Sequence, residues 1–193
     1  MTKLAVGVLH PGQERALDWA KQIALVVGAS LWVALCARVT VPLPFTPVPL
    51  TLQNFGVLVV GLVLGPRRAF AALVLYLAEG AAGLPVFNPT GPGGIAQLMG
   101  PTGGYLLAYP LVAGLAGFLI ERGRKTFARA AIAGLAAEVL LFTVGLSWLA
   151  IWTRSVTRAL QWGLYWFLFA EVIKILMAAS VSVRLKREPK VQA

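Results

Sequence analysis

The sequence predicts an all-α integral membrane protein that crosses the bilayer six times and keeps both termini in the cytoplasm. Three observations predict this class. Hydrophobic residues make up 59% of the 193 residues, charged residues make up only 12%, and the mean hydropathy is +0.80. Soluble domains carry about twice this share of charge, roughly 25%. A single soluble core could not hide so much apolar surface, whereas about 20 apolar residues span a bilayer as one helix.

Apolar segments alternate with basic or Pro/Gly-rich connections along the chain. The predicted spans cover residues 19–39, 50–64, 69–83, 105–120, 128–151 and 160–183. We expect residues 1–18 to lie at the cytoplasmic surface or interface, and residues 184–193 to form a basic cytoplasmic tail. No internal repeat is evident, so residues 1–193 are predicted to form a single transmembrane domain.

Basic residues set the predicted orientation because cytoplasmic loops are enriched in Lys and Arg. They cluster after spans two, four and six: Arg67 and Arg68; Arg122, Arg124, Lys125 and Arg129; Arg184, Lys186, Arg187 and Lys190. Residues 39–66 and 80–120 carry no charge. The three clusters are therefore predicted to be cytoplasmic, and the two uncharged Pro/Gly-rich connections to face outward. Arg154 and Arg158 are minor exceptions.

Composition also bounds the partners and the chemistry. The net charge of +10 comes from residues that flank apolar segments, which indicates topology signals and contacts with anionic membrane lipid rather than nucleic acid. The single cysteine, Cys36, allows no disulfide within the chain, and no metal site or cofactor motif is present. The one histidine, His10, lies outside every span, which argues against an intramembrane enzyme, and we assign no catalytic residue.

The two outward connections have an unusual backbone composition. The stretch VPLPFTPVPLTLQ at 41–53 holds four prolines, and residues 84–104 hold six glycines and four prolines. Proline favours an extended strip of about 3.1 Å per residue, and the second segment is not expected to form a regular helix. Irregular backbone near membrane depth is tolerated where it lines protein or a cavity. We predict that loops 40–50 and 84–104 cover an outward pocket; a pair of interfacial loops is the alternative.

Three motifs carry a resemblance to a known family. They are VPLPFTPVPLTLQ at 41–53, GLPVF at 83–87 and GPTGGYL at 100–106, with a weaker match at 163–179. The chain closely resembles the BioY family, the biotin-binding S components of energy-coupling factor (ECF) transporters. The resemblance implies an S-component-like bundle that binds biotin with high affinity for uptake across the cytoplasmic membrane of a prokaryotic cell.

The same resemblance implies partners, namely a transmembrane coupling subunit and two cytoplasmic ATPases. The chain has no GxxxxGK[ST] loop of its own. Three alternatives stay open: an S component for another small vitamin, an intramembrane enzyme, and a structural membrane protein. A homo-oligomer also stays open.

Two charged residues in the last predicted span are the leading site candidates. Glu171 and Lys174 are three apart, so a helix places them on one face, and ionisable groups within a span usually face a cavity or each other. Lys174 would bind the carboxylate or carbonyl of biotin, and Glu171 would accept its ureido N–H groups. The alternative is an ion pair that only locks the bundle. The family usually has Asp where this chain has Glu171.

The remaining candidates come from the connections. Thr102 is a predicted N-cap, and bare amides near Gly103 would form an anion site beside Tyr105; ordinary capping is the alternative. Asn88 and Gln53 would pair with the ureido group, although Asn88 also suits a turn. Two aromatic residues, Phe45 and Phe87, are predicted to form apolar walls of the pocket.

A face of small residues on the first span is the predicted partner interface. Ser30, Ala34 and Ala37 would contact the coupling subunit, as the resemblance implies, while packing within the bundle is the alternative. Two further carboxylates, Glu79 and Glu138, are predicted to act as packing or hydrogen-bonding partners inside the bundle.

Overall fold

A computed structural model describes residues 11–185 as eight helices and one short hairpin. The elements are α1 (Pro11–Arg38), β1 (Thr40–Val41), β2 (Leu50–Thr51), α2 (Gln53–Leu64), α3 (Pro66–Ala81), α4 (Gly94–Met99), α5 (Gly103–Glu121), α6 (Phe127–Thr153), α7 (Val156–Gly163) and α8 (Leu168–Leu185). Most of the predicted N-terminal segment and of the basic tail lies outside the described residues, as does His10.

Three of these helices are long and apolar enough to cross a membrane by themselves: Leu17–Arg38 within α1, α5 and α6. The pair α7 and α8, bent by 52°, forms a fourth candidate span. Helices α2 and α3 have 12 and 16 residues. At 1.5 Å per residue they reach about 18 and 24 Å, less than the roughly 30 Å hydrocarbon core. The all-helical membrane class is therefore confirmed, and six crossings stay a prediction.

Helix α2 forms the centre of the bundle. Every residue from Gln53 to Leu62 is buried, because α1, α5 and α8 all pack around it. Helix α5 crosses it closely at a glycine: a Cβ atom at Gly61 would lie 2.6 Å from the carbonyl oxygen of Ala113. Small residues at such crossings let membrane helices approach, so this contact fixes α2 against α5 and with it the position of the site.

The basic α2–α3 junction lies at the same end of the bundle as the end of α5. A Cβ at Gly65, which has a φ of +79° and connects α2 to α3, would contact Glu121 at the end of α5. Arg68 Nε donates a hydrogen bond to Gln22 Oε1 of α1 at 2.5 Å. The α2–α3 junction, the end of α5 and the part of α1 around Gln22 therefore lie close together.

The Pro/Gly-rich connections meet at the opposite end. In the proline loop, which we define as residues 42–49, Thr46 Oγ1 donates to the carbonyl oxygen of Trp162 at 2.7 Å. Trp148 Nε1 of α6 donates to the carbonyl oxygen of Gly100 at 2.9 Å. This end therefore gathers the proline loop, the 82–102 connection and the junction between α7 and α8.

Two expectations about these connections need correction. The proline stretch is not one extended strip, because Thr40 pairs with Thr51 and Val41 with Leu50 in an antiparallel hairpin that closes the loop at its base. The second connection does contain a helix, the six-residue α4. Helix α4 forms where five consecutive residues, IAQLM, carry neither glycine nor proline.

The predicted span 160–183 is also not one helix. It breaks between Gly163 and Leu168. The carbonyl oxygen of Gly163 accepts a hydrogen bond from the Tyr105 hydroxyl at 3.1 Å, while the Phe167 amide, four residues on, donates to Leu164 at 2.9 Å instead. A glycine also weakens a helix by about 1 kcal/mol relative to alanine. The break starts α8 at the level of the site, with Glu171 in its first turn.

Candidate functional site

A cavity of about 60 Å³ lies at the end of the bundle where the proline loop covers it. Its lining comes from the hairpin and from α2, α5, α6 and α8: Val48, Pro49, Thr51, Gln53, Asn54, Asn88, Thr102, Tyr105, Leu106, Tyr109, Leu141, Phe142, Phe167, Glu171 and Lys174. Such a volume holds about four water molecules. A larger organic ligand would therefore require its walls to move.

Lys174 and Glu171 form a buried ion pair at the wall of this cavity. Lys174 Nζ donates to Glu171 Oε1 at 2.6 Å, and each side chain is 9% exposed. The ammonium has three N–H donors and the carboxylate about four lone-pair positions. Both groups therefore keep unused hydrogen-bonding capacity toward the cavity. The sequence left two roles open for this ion pair, locking the bundle and binding a ligand. This geometry allows both roles at once.

Asn54 extends this pair into a network that the sequence analysis missed. Its Nδ2 atom donates to Glu171 Oε2 at 2.7 Å and also to Glu138 Oε1. Asn54 and Glu138 are 4% and 3% exposed. Glu138, predicted as a bundle partner, therefore holds the amide from the side away from the cavity. The available signal was a polar side chain directly after Gln53, in an otherwise apolar helix.

Gln53 lines the cavity and connects it to the second connection. Its Nε2 donates to the Tyr76 hydroxyl at 2.8 Å, and that hydroxyl donates to the carbonyl oxygen of Val86 at 3.0 Å. Tyr76 engages one of the two Nε2 hydrogens of Gln53, so its amide oxygen and its second N–H keep the predicted role as ligand partners. This chain of hydrogen bonds fixes the GLPVF segment against α2 and α3.

Three further predicted residues line the cavity, namely Asn88, Thr102 and Tyr105. Asn88 Oδ1 accepts a hydrogen bond from Thr90 Oγ1 at 2.7 Å. Asn88 is therefore a turn residue and also lines the cavity. Thr102 precedes α5, but its side chain makes no capping hydrogen bond. Thr102 is therefore the N-cap residue, as predicted, but its hydroxyl does not cap the helix and can face a ligand instead.

Gly103 does not line the cavity. Its N–H donates to the Gly100 carbonyl oxygen at 3.0 Å, and a Cβ at this position would collide with the Leu98 backbone. The amide is therefore engaged in a turn rather than bare, and Gly103 serves the close approach of α4 to α5.

Neither predicted aromatic wall residue lines the cavity. Phe45 is 48% exposed and stacks on Trp166 with a 4.6 Å centroid separation. Phe87 is buried against Tyr76, at 5.4 Å between ring centroids, and its ring fills the space above Gly80. Phe45 instead fixes the proline loop from outside, and Phe87 packs the core. The apolar lining comes from Val48, Leu106, Leu141, Phe142 and Phe167.

The predicted partner face lies largely inside the bundle. Ser30 and Ala37 are 0% exposed, and Ala34 is partly buried. Ser30 Oγ donates to Glu79 Oε2 of α3, which gives Glu79 the internal role expected for it. Ser30 and Ala37 therefore pack within the bundle, and a partner could not reach their side chains in this arrangement.

Within residues 11–185, no three His, Cys, Asp or Glu side chains come together as a metal site. The polar groups at the cavity are instead one ammonium, one carboxylate, amides and hydroxyls. This set suits a neutral or anionic organic ligand that has both donors and acceptors.

Comparisons with known proteins agree on one family. A sequence profile of the BioY family matches residues 7–190. The "Probable biotin transporter BioY" of Pyrococcus horikoshii is 35% identical over 168 residues, which are 86% of this chain and 97% of that one. The "Biotin transporter BioY" of Thermotoga maritima is 35% identical over 163 residues, 84% of this chain and 89% of that one.

A solved structure has the same fold. It is the crystal structure of the S-component for biotin from an ECF-type ABC transporter. The two chains superpose with a TM-score of 0.80 and 25% sequence identity, over 94% of this chain and 96% of that one. The similarity therefore extends over almost the whole chain.

Proposed function

This chain belongs to the BioY family, and we propose that it binds biotin as the substrate-specific subunit of an ECF-type transporter. The observation that carries the proposal is the buried Lys174–Glu171 pair at the wall of a covered cavity, within a bundle similar to a solved biotin S component. Like the proteins that it resembles, it is a membrane transport protein and not an enzyme.

The chemistry of biotin fits this cavity. Biotin has a carboxylate tail, a ureido ring with two N–H donors and one carbonyl oxygen, and an apolar thiophane ring. Lys174 offers donors to the carboxylate or the carbonyl oxygen, and Glu171 offers acceptors to the ureido ring. Asn88, Gln53 and Thr102 would supply further polar contacts, and the Tyr105 hydroxyl, which donates to Gly163, would accept. Leu141, Phe142 and Phe167 are among the apolar residues that would contact the thiophane ring.

We further propose that the chain is a single domain that crosses the cytoplasmic membrane six times, with both termini in the cytoplasm. On this proposal α2 and α3 each cross despite their length, and α7 with α8 makes the sixth crossing. Support comes from the exposed Arg67, Arg68 and Arg122 near one end and from the uncharged Pro/Gly-rich connections at the other. The cavity would then open outward.

The proposed partners are a membrane coupling subunit and a pair of ATPases, because the similar solved structure is an S component. Any contact through α1 would use its exposed side, since Ser30 and Ala37 are buried. Leu31 and Leu35 are 51% and 66% exposed on that side. The same surface is apolar, so we also propose that it contacts membrane lipid. A homo-oligomer remains a proposal as well.

Calorimetry tests the proposed function directly. The purified chain in detergent is titrated with biotin, and with thiamine and riboflavin as controls. We expect tight binding of biotin, no detectable binding of the two controls, and a biotin-dependent rise in melting temperature. A folded sample that does not bind biotin would contradict the proposal, and selective binding of thiamine or riboflavin would favour an S component for another vitamin.

Replacing Phe45 with alanine should accelerate biotin release. The proline loop is fixed by Thr46 and by the stacking of Phe45 on Trp166, while its Val48 and Pro49 line the cavity. An aromatic pair contributes about 0.5–1.5 kcal/mol. Because the narrow cavity must open for release, we expect the dissociation rate to rise about 2- to 10-fold in stopped-flow displacement.

Phe127→Ala is the matched control for this change. Phe127 is 45% exposed. It lies at the start of α6, outside the proline loop and its contacts. It should release biotin at the rate of the unmodified chain. Equal release rates for Phe45→Ala and Phe127→Ala would show that the stacking does not hold the loop closed.

A further inference from the structure

Asn54 carries an unsatisfied acceptor at the cavity. Both hydrogens of its amide nitrogen are used, one by Glu171 at 2.7 Å and one by Glu138. Its Oδ1 atom is buried and has no hydrogen-bond partner among the described residues. Asn54 belongs to the cavity lining. A buried amide oxygen is normally paired. Because Asn54 lines the cavity, a ligand bound there can supply the missing donor.

Glu138 determines which way this amide faces. It is 3% exposed and lies outside the cavity lining, although it lines a neighbouring groove with Phe142 and Glu171. Within residues 11–185 its Oε2 atom also has no hydrogen-bond partner. If the Asn54 amide rotated by half a turn, its oxygen would face two carboxylates and both hydrogen bonds would be lost. Glu171 also contacts Lys174, at 2.6 Å, so a ligand that binds this pair perturbs one of the two anchors. Glu138 is the anchor that a ligand in the cavity does not touch.

We propose that Asn54 Oδ1 accepts a hydrogen bond from a ring N–H of the ligand and that Glu138 is the positioning residue that holds this acceptor in place. The inference rests on the proposed function, because a cyclic urea is the ligand class that brings ring N–H donors beside a carbonyl oxygen. Asn54 then selects for the donor, and Lys174 and Glu171 supply the charged contacts.

The test compares biotin with its two mono-N-methyl ureido derivatives, each of which lacks one ring N–H. The readout is a selectivity ratio, the dissociation constant of each derivative divided by that of biotin, measured by calorimetry on the whole chain in detergent. For one derivative we expect the ratio to fall about 5- to 10-fold in Glu138→Leu, which corresponds to one neutral hydrogen bond. Glu138→Gln should keep the ratio of the unmodified chain, because its amide oxygen still accepts from Asn54.

Glu79→Leu is the matched control, since it also removes an acceptor from a buried donor, Ser30, but lies outside the cavity lining. It should leave both ratios unchanged. A purely structural role for Glu138 would lower the melting temperature without changing the ratio. If Glu138→Leu does not fold, Asn54→Ala provides the test and should lower the same ratio by a similar factor.

The outcomes separate this inference from the proposed function. Biotin binding with unchanged ratios in Glu138→Leu, or in Asn54→Ala where that variant replaces it, would overturn the inference and leave the function standing. Loss of selectivity in Glu138→Gln as well would overturn the positioning role. Absence of biotin binding in the unmodified chain would remove both.

Discussion

Lys174→Ala is expected to weaken biotin binding by at least about 100-fold while the bundle still folds. Truncating one member of a buried, hydrogen-bonded charge pair typically costs 2–5 kcal/mol of binding free energy. In this chain the loss has two parts. The ligand loses the ammonium, and among residues 11–185 the Glu171 carboxylate keeps only its hydrogen bond from Asn54 at 2.7 Å. Calorimetry, with a melting curve to confirm folding, measures the result.

The control for Lys174→Ala is a lysine with the same spacing to an acid but no burial. Lys21 Nζ lies 4.0 Å from Asp18 Oδ1, and the two side chains are 72% and 76% exposed. Exposed pairs of this kind contribute about 0–1 kcal/mol, so Lys21→Ala should bind biotin normally. Glu171→Gln should weaken binding less than Lys174→Ala, because an amide oxygen still accepts. Lys174→Ala with an affinity within about threefold of the unmodified chain, a difference of about 0.7 kcal/mol or less, would remove Lys174 from the site.

The charged part of the site was predictable because charge inside an apolar span is conspicuous. Glu171 and Lys174 stand three apart in a segment that otherwise lacks charge, and helix geometry alone brings them together. The structure pairs them at 2.6 Å. Their spacing in sequence was sufficient, since both groups lie on one helix.

Asn54 and Glu138 show what a sequence cannot supply. They lie 84 positions apart, and they meet because α2 and α6 both pack against the same part of the bundle. Their contact results from the packing of two helices and not from their spacing in the sequence. The direction of the Asn54 amide likewise depends on two carboxylates from other helices, and no local pattern encodes that contact.

The positions of the two predicted aromatic wall residues have a similar origin. Apolarity predicts that a side chain is hidden, but not which neighbour hides it. Phe87 is buried against Tyr76, and Phe45 covers the loop from outside against Trp166. The break before α8 was missed for the same reason, because the Tyr105 hydroxyl that engages the Gly163 carbonyl comes from another helix.

The second large effect should come from adding one methyl group at Gly145, in the middle of α6. A Cβ atom at this position would collide with the Tyr105 ring. The ring has no simple way to move, because it packs edge-on against Phe142 at 6.4 Å between centroids and its hydroxyl lies against Gly163. Overpacking of this kind costs about 1–3 kcal/mol. We expect Gly145→Ala to lower the melting temperature and to weaken biotin binding about tenfold.

Two comparisons distinguish displacement of Tyr105 from a general effect of alanine at a helical glycine. Gly28→Ala makes the same change in α1, where no atom of another described helix or loop lies within 4 Å of the new Cβ, so it should retain both stability and affinity. Gly145→Ala combined with Tyr105→Val removes the clash and should recover stability, because the smaller side chain makes room for the methyl group. Affinity should not recover, since the cavity has lost the tyrosine that forms part of its wall. Recovery of affinity with valine at 105 would mean that Tyr105 packs α5 against α6 without contributing to the biotin site.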